Sequence, residues 1–188
     1  MTKLAIFASG SGSNAENIAL FFRDNPEVEV SIIISNKKDA FVHQRANKLN
    51  IPSYTYNKKE FDDSTEIISL LEENNIDFII LAGFLLKVSE KLISCFSNRI
   101  INIHPALLPK YGGKGMYGDF VHKAVVEAKE QESGITIHYV NENYDEGAII
   151  FQAKCSVDSN DTFEDVANKV HKLEYEHFPN IIAKIVKK

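Results

Sequence analysis

Asn102 and His104 stand two residues apart in the run Ile100-Ile101-Asn102-Ile103-His104-Pro105. On an extended strand alternate side chains share a face, so this carboxamide and imidazole point to the same side. Together they offer a hydrogen-bond donor and a proton carrier aimed at one place. That pairing suits the negative charge that builds on a carbonyl oxygen under attack. The third member should be an acid, and Asp145 is the candidate. It lies in the polar stretch Asn141–Gly147, where Gly147 lets the backbone turn sharply. A carboxylate beside His104 would raise the imidazole pKa and fix its orientation. His138, shortly before that stretch, could approach the same place. Taken singly, each of these residues also reads as an ordinary loop-capping group, and spacing alone does not bring Asp145 to His104.

A second chemical signal is Gly10-Ser11-Gly12-Ser13-Asn14-Ala15, which fits G-x-G-x-x-A between a strand and a helix. Backbone N–H groups and the helix dipole favour an anion there, so a phosphate fits. The dinucleotide reading is weak, because the next strand ends Ile34-Ser35-Asn36 with no acid to hold a ribose hydroxyl. The alternative is a tight turn whose glycines merely let strand and helix pack. Gly112-Gly113-Lys114-Gly115 fails as a phosphate loop, since no Ser or Thr follows Lys114 and Leu108 stands where the first glycine belongs. No nucleophile elbow and no activated cysteine is present, which leaves covalent catalysis without a candidate. His43, His122, His138, His171 and His177 lack metal-binding spacing, and Cys95 and Cys155 form no CxxC pair, so no metal is expected.

The elements that must position these residues follow from periodicity. Leu4–Ala8 reads as a buried strand, and Asn14 as the cap of a helix carrying Ala15, Ile18, Ala19 and Phe22. Val28–Ile34 alternates as a second strand, Phe41–Leu49 is helical, and Ser53–Tyr56 is a short strand. A helix over Asp63–Glu73 carries Asp63 and Glu66 at capping-box spacing. Phe78–Ala82 and Ile100–His104 are further strands. After the Pro/Gly-rich loop 105–119 and a helix over Phe120–Lys129, strands Gly134–Val140 and Ala148–Cys155 read as a hairpin. The last helix, from about Asp161, shows Val166, Val170, Leu173, His177, Ile181 and Ile185 on one face, and Pro179 should kink it. The expected fold is α/β and Rossmann-like, a mostly parallel sheet with helices on both faces and a late antiparallel hairpin at one side. One domain over residues 1–188 is expected.

The bulk properties narrow the partners. The 188 residues carry a net charge of -5, and their lysines are scattered, which disfavours a nucleic-acid surface. No apolar run reaches the roughly 20 residues of a membrane span, and the N-terminus has no leader-like core. A cytoplasmic protein acting on small molecules, as a monomer or weak dimer, is expected.

The chain resembles the phosphoribosylglycinamide formyltransferase family along essentially its whole length. The matching stretches are Phe7–Asn14, Ser35-Asn36-Lys37, Leu81-Ala82-Gly83-Phe84, Asn102–Pro109 and Asp145-Glu146-Gly147. The N-I-H-P-x-L-L-P stretch is the most specific of them. The resemblance implies transfer of the formyl group of 10-formyltetrahydrofolate, a co-substrate, to the amine of phosphoribosylglycinamide in purine biosynthesis, without a metal. It implies catalytic roles for Asn102, His104 and Asp145, with His104 protonated and Asp145 sustaining the imidazolium. Gly12, Ser13 and Asn14 would cradle the substrate phosphate, and His171, Lys172 and Glu174 would hold the rest of that substrate. Leu85, Leu86, Lys87, Val88, Asn102, Asn141, Glu142, Asn143 and Tyr144 would hold the folate. Two features depart from the family pattern. Ser64 stands where some relatives carry a folate-contacting arginine, and the flap Tyr111–Asp119 is longer than in some relatives.

Overall fold

Leu4, Ala5, Ile6, Phe7 and Ala8 have no exposed surface, which requires a strand paired on both sides and covered on both faces. In the computed structural model, which describes residues 1–187, that strand is β1 (Thr2–Phe7). It pairs in parallel with β2 (Val28–Ser35) on one side and β4 (Phe78–Leu81) on the other. The short β3 (Ser53–Thr55) extends the sheet beyond β2, again in parallel. With β5 (Ile100–His104), β6 (Glu132–Tyr139) and β7 (Ile149–Ser156), the seven-stranded sheet has the order β3-β2-β1-β4-β5-β6-β7. β6 and β7 are antiparallel, as the expected hairpin requires.

The chain first winds outward from β1 to β3 and then returns to start again at β4. Right-handed crossovers in these two directions put their helices on opposite faces of the sheet. The helices of the first winding are α1 (Ser13–Phe22) and α2 (Val42–Lys48). Those of the second include α3 (Lys58–Asp63), α4 (Thr65–Glu73) and α5 (Glu90–Cys95). The order reverses between β1 and β4, so a crevice is expected beyond their carboxyl ends. There Ser9 N–H donates to the Gly83 carbonyl at 3.0 Å, and Leu85 N–H donates to Ser9 Oγ at 2.8 Å. The glycine turn after β1 and the segment 83–88 after β4 are thereby fastened to each other.

The chain forms two compact units, residues 1–101 with the end of the last helix from residue 182, and Asn102–Ile181. The second carries α6 (Asp119–Glu127), the β6–β7 hairpin and most of α7 (Phe163–Val186), which runs on as helix through Pro179.

Three local expectations are corrected. Gly12, not Asn14, caps α1, with φ of 72°. That left-handed backbone favours glycine, and any Cβ at Gly12 would overlap Val42. The capping box belongs to Asn57 and Glu60 at the start of α3. Ser64, at φ 60°, turns the backbone between α3 and α4 and starts α4 without a side-chain cap, so the helix expected over Asp63–Glu73 is present as α4, with α3 a further helix ahead of it. On α7 the buried stripe is Val166, Val170, Glu174, Phe178 and Ile182. Leu173 and His177 are only half-buried. The polar Glu174 thus takes the place that apolar periodicity assigned to Leu173.

Candidate active site

The Asn102–His104 pair lies at the end of β5, as the spacing requires, and His104 is only 4% exposed. The loop between β6 and β7 turns back at Asp145, itself left-handed at φ 56°. Asp145 Oδ2 lies 3.6 Å from His104 Nδ1, and Oδ1 lies 3.6 Å from His138 Nε2. Gly113 N–H donates to Asp145 Oδ2 at 2.9 Å, which ties the flap to the acid. His104 Nε2–H donates to the Tyr111 carbonyl at 2.7 Å. Asn102, His104 and Asp145 therefore do come together, and His138 joins them through Asn102 at 3.1 Å.

The charges in this cluster oppose one another. Burial pushes the His104 imidazole below the ordinary histidine value. Asp145 and the Tyr111 carbonyl push it up but do not overcome burial, and His138 adds to the lowering. The acid does act in the expected direction, but the net shift is downward, so the resting imidazole is neutral at pH 7. Burial alone would raise Asp145, yet the neighbouring His138 and His104 rings and the Gly113 N–H outweigh it and hold the carboxyl below its usual range. An anion is therefore fixed beside a buried, neutral, proton-accepting ring.

The other expected site residues fall into separate settings. Ser13 and Asn14 open α1 after Gly12, and the anion-favouring N–H groups of a first helical turn are in place. Leu85, Leu86, Lys87 and Val88 form the loop after β4, where Leu85 and Lys87 are exposed and Val88 is buried. In the Asn141–Tyr144 segment, Asn141 Oδ1 accepts from Asn143 N–H at 3.0 Å, and Glu142, Asn143 and Tyr144 are exposed. His171 and Lys172 are exposed on α7, with Glu174 buried one turn on. The His171 ring stacks on Tyr175 and meets the edge of His122, each at 6.3 Å between centroids. His122 is buried, and burial first, then His171, lowers its pKa to about 4. Ser64 is fully buried, with Oγ bonded to the Phe61 carbonyl and 2.6 Å from Ser89 Oγ. It serves the helix junction and offers nothing to a ligand.

Sequence reasoning missed the Tyr111 carbonyl, the Gly113 N–H and the His122–His171 pair. The first two are backbone groups, which no residue type announces. Among the described residues no group of three His, Cys, Asp or Glu is arranged to hold a metal ion, and no helix is long and apolar enough to cross a membrane.

Comparison with known proteins gives this cluster its context. The formyl transferase family model matches residues 2–182. The chain is 34% identical to the phosphoribosylglycinamide formyltransferase of Bacillus subtilis, over 99% of this chain and 95% of that one. It is 40% identical to the chloroplastic phosphoribosylglycinamide formyltransferase of Arabidopsis thaliana, over 97% of its own length but 65% of the plant protein. The crystal structure of the Streptococcus pneumoniae phosphoribosylglycinamide formyltransferase superposes with a TM-score of 0.88 at 34% identity, over the full length of both chains. That of Bacillus halodurans reaches 0.90, also at 34% identity, over 100% of this chain and 96% of the other. Full-length matches at this identity carry the conclusion that the chain belongs to the phosphoribosylglycinamide formyltransferase family.

Proposed function

We propose that this chain transfers the formyl group of 10-formyltetrahydrofolate to the amine of phosphoribosylglycinamide, in the cytoplasm, with its two compact units acting as one functional domain. The observation that carries the reading is the convergence of Asn102, His104 and Asp145 at one strand end. The uncharged amine attacks the formyl carbon and forms the new C–N bond. The resulting oxyanion accepts a hydrogen bond from the Asn102 amide. This new negative charge, together with Asp145, draws on to His104 the proton that the attacking nitrogen sheds, which burial keeps off the ring in the resting protein. Collapse breaks the bond to the folate nitrogen, which keeps the bonding pair and takes the proton back from His104, returning the ring to its neutral state. The first turn of α1, with Gly12, Ser13 and Asn14, takes the substrate phosphate, and His171, Lys172 and Glu174 take the rest of that substrate. Leu85–Val88 and Asn141–Tyr144 take the folate. The test is absorbance at the folate chromophore with a 10-formyl donor, with and without phosphoribosylglycinamide. Turnover that depends on the amine supports the reading, whereas equal donor loss without it makes the chain a hydrolase.

A further inference from the structure

His138 is nearly as buried as any residue in its unit, 2% exposed, and the chemistry proposed above gives it no step. Its ring is held at both nitrogens. Nδ1 lies 2.8 Å from the Tyr139 carbonyl, which can only accept, so Nδ1 carries the hydrogen. In a neutral ring Nε2 is then a bare lone pair and needs a donor. The atom 3.1 Å away is Asn102 Nδ2, whose N–H supplies one. A reversed carboxamide would set two lone pairs against each other. The tautomer of His138 therefore dictates which end of Asn102 is nitrogen, and leaves the second amide hydrogen of Asn102 free for a substrate oxygen.

The other end of the relay is fixed as firmly. Tyr139 N–H donates to the Ala148 carbonyl at 3.0 Å, which locks that peptide into the hairpin. The register of β6 on β7 shifts at Ile137/His138, so the ladder irregularity falls at the residue that carries this ring. A Cβ at residue 147 would collide with the Tyr139 oxygen, so Gly147 is what allows the carbonyl to reach His138. Asp145 Oδ1 is the other group facing Nε2, at 3.6 Å. A proton on Nε2 would satisfy Asp145 and remove the acceptor from Asn102.

We infer that His138 is a positioning residue, its Nδ1 hydrogen held by the Tyr139 carbonyl and its Nε2 accepting from Asn102, so that Asn102 presents an N–H rather than an oxygen to the reacting carbonyl. The inference rests on the formyl-transfer reading, and its tests separate the two. In the intact wild-type protein, ring nitrogen-15 chemical shifts should report a protonated Nδ1 and a bare Nε2 on His138. The opposite tautomer overturns the relay whatever the activity. In steady-state kinetics His138→Ala should lower kcat about 10- to 50-fold, with KM for both substrates within about threefold. His138→Gln, whose carbonyl reaches the Nε2 position, should recover most of that loss. In an Asn102→Ala background, His138→Ala should cost nothing further. Additive losses, equal losses in the Gln and Ala variants, or a fully active His138→Ala each refute the relay. An inactive wild type refutes the formyl-transfer reading and leaves the tautomer measurement to decide the relay.

Discussion

Asp145→Asn isolates one quantity, the negative charge beside His104. Asparagine keeps the shape, tolerates the left-handed φ of 56° at this position, and can still accept from Gly113 N–H. What it removes is an anion 3.6 Å from the His104 ring. At an effective dielectric near 20, opposite unit charges at that separation attract by about 4–5 kcal/mol. The Asn dipole retains part of this, so about 2–3 kcal/mol of support for the imidazolium is lost, equivalent to roughly 30- to 150-fold in kcat at pH 7. Asp145 is what pushes the His104 pKa up against burial, so its loss lowers that pKa further. Activity that needs the imidazolium falls as pH rises, and in the variant this fall should begin at lower pH. The assay is kcat against pH under saturating donor and acceptor, with thermal melts to verify that the variant is folded. A variant within threefold of the parent, with an unmoved pH profile, would refute the assignment of Asp145 as the charge behind His104.

Other expectations reach beyond the acid. Gly12→Ala forces a side chain into a left-handed position against Val42 and should cost about 1–3 kcal/mol of stability, read as a lowered midpoint in urea. Ser13→Ala combined with Asn14→Ala should weaken the phosphorylated substrate about tenfold by titration calorimetry, with little change in kcat. His122, whose pKa is lowered to about 4 by burial and by His171, binds its proton more tightly in the unfolded chain than in the folded one. Its contribution to stability is therefore complete above about pH 6.5 and is lost as pH falls towards 4. Between pH 7 and pH 5 the parent should lose about 2 kcal/mol through this group, and His122→Gln should lack that component when urea unfolding is compared at the two pH values.

The parts of the site that were legible in the sequence are those that periodicity carries. Two residues on a strand share a face, so Asn102 and His104 had to point together, and a glycine turn between strand and helix had to lie at a strand's carboxyl end. Asp145 could be named as the candidate acid from its polar turn, but its approach to His104 depends on how the hairpin folds back, which local pattern does not encode. The same limit hid the Tyr111 carbonyl and the Gly113 N–H, since every residue owns such groups. It also misread α7, where Glu174 rather than Leu173 lies on the buried stripe. Hydrophobic periodicity assumes that buried means apolar, and an acidic side chain turned inward breaks that rule. His104 extends the argument from position to charge. From sequence its acid neighbour predicts a raised pKa, yet burial reverses the sign, and burial belongs to the whole fold. A ring kept neutral at rest beside a fixed anion takes up a proton most readily when new negative charge arrives next to it. The same burial that lowers its resting pKa therefore makes its protonation depend on the reaction itself.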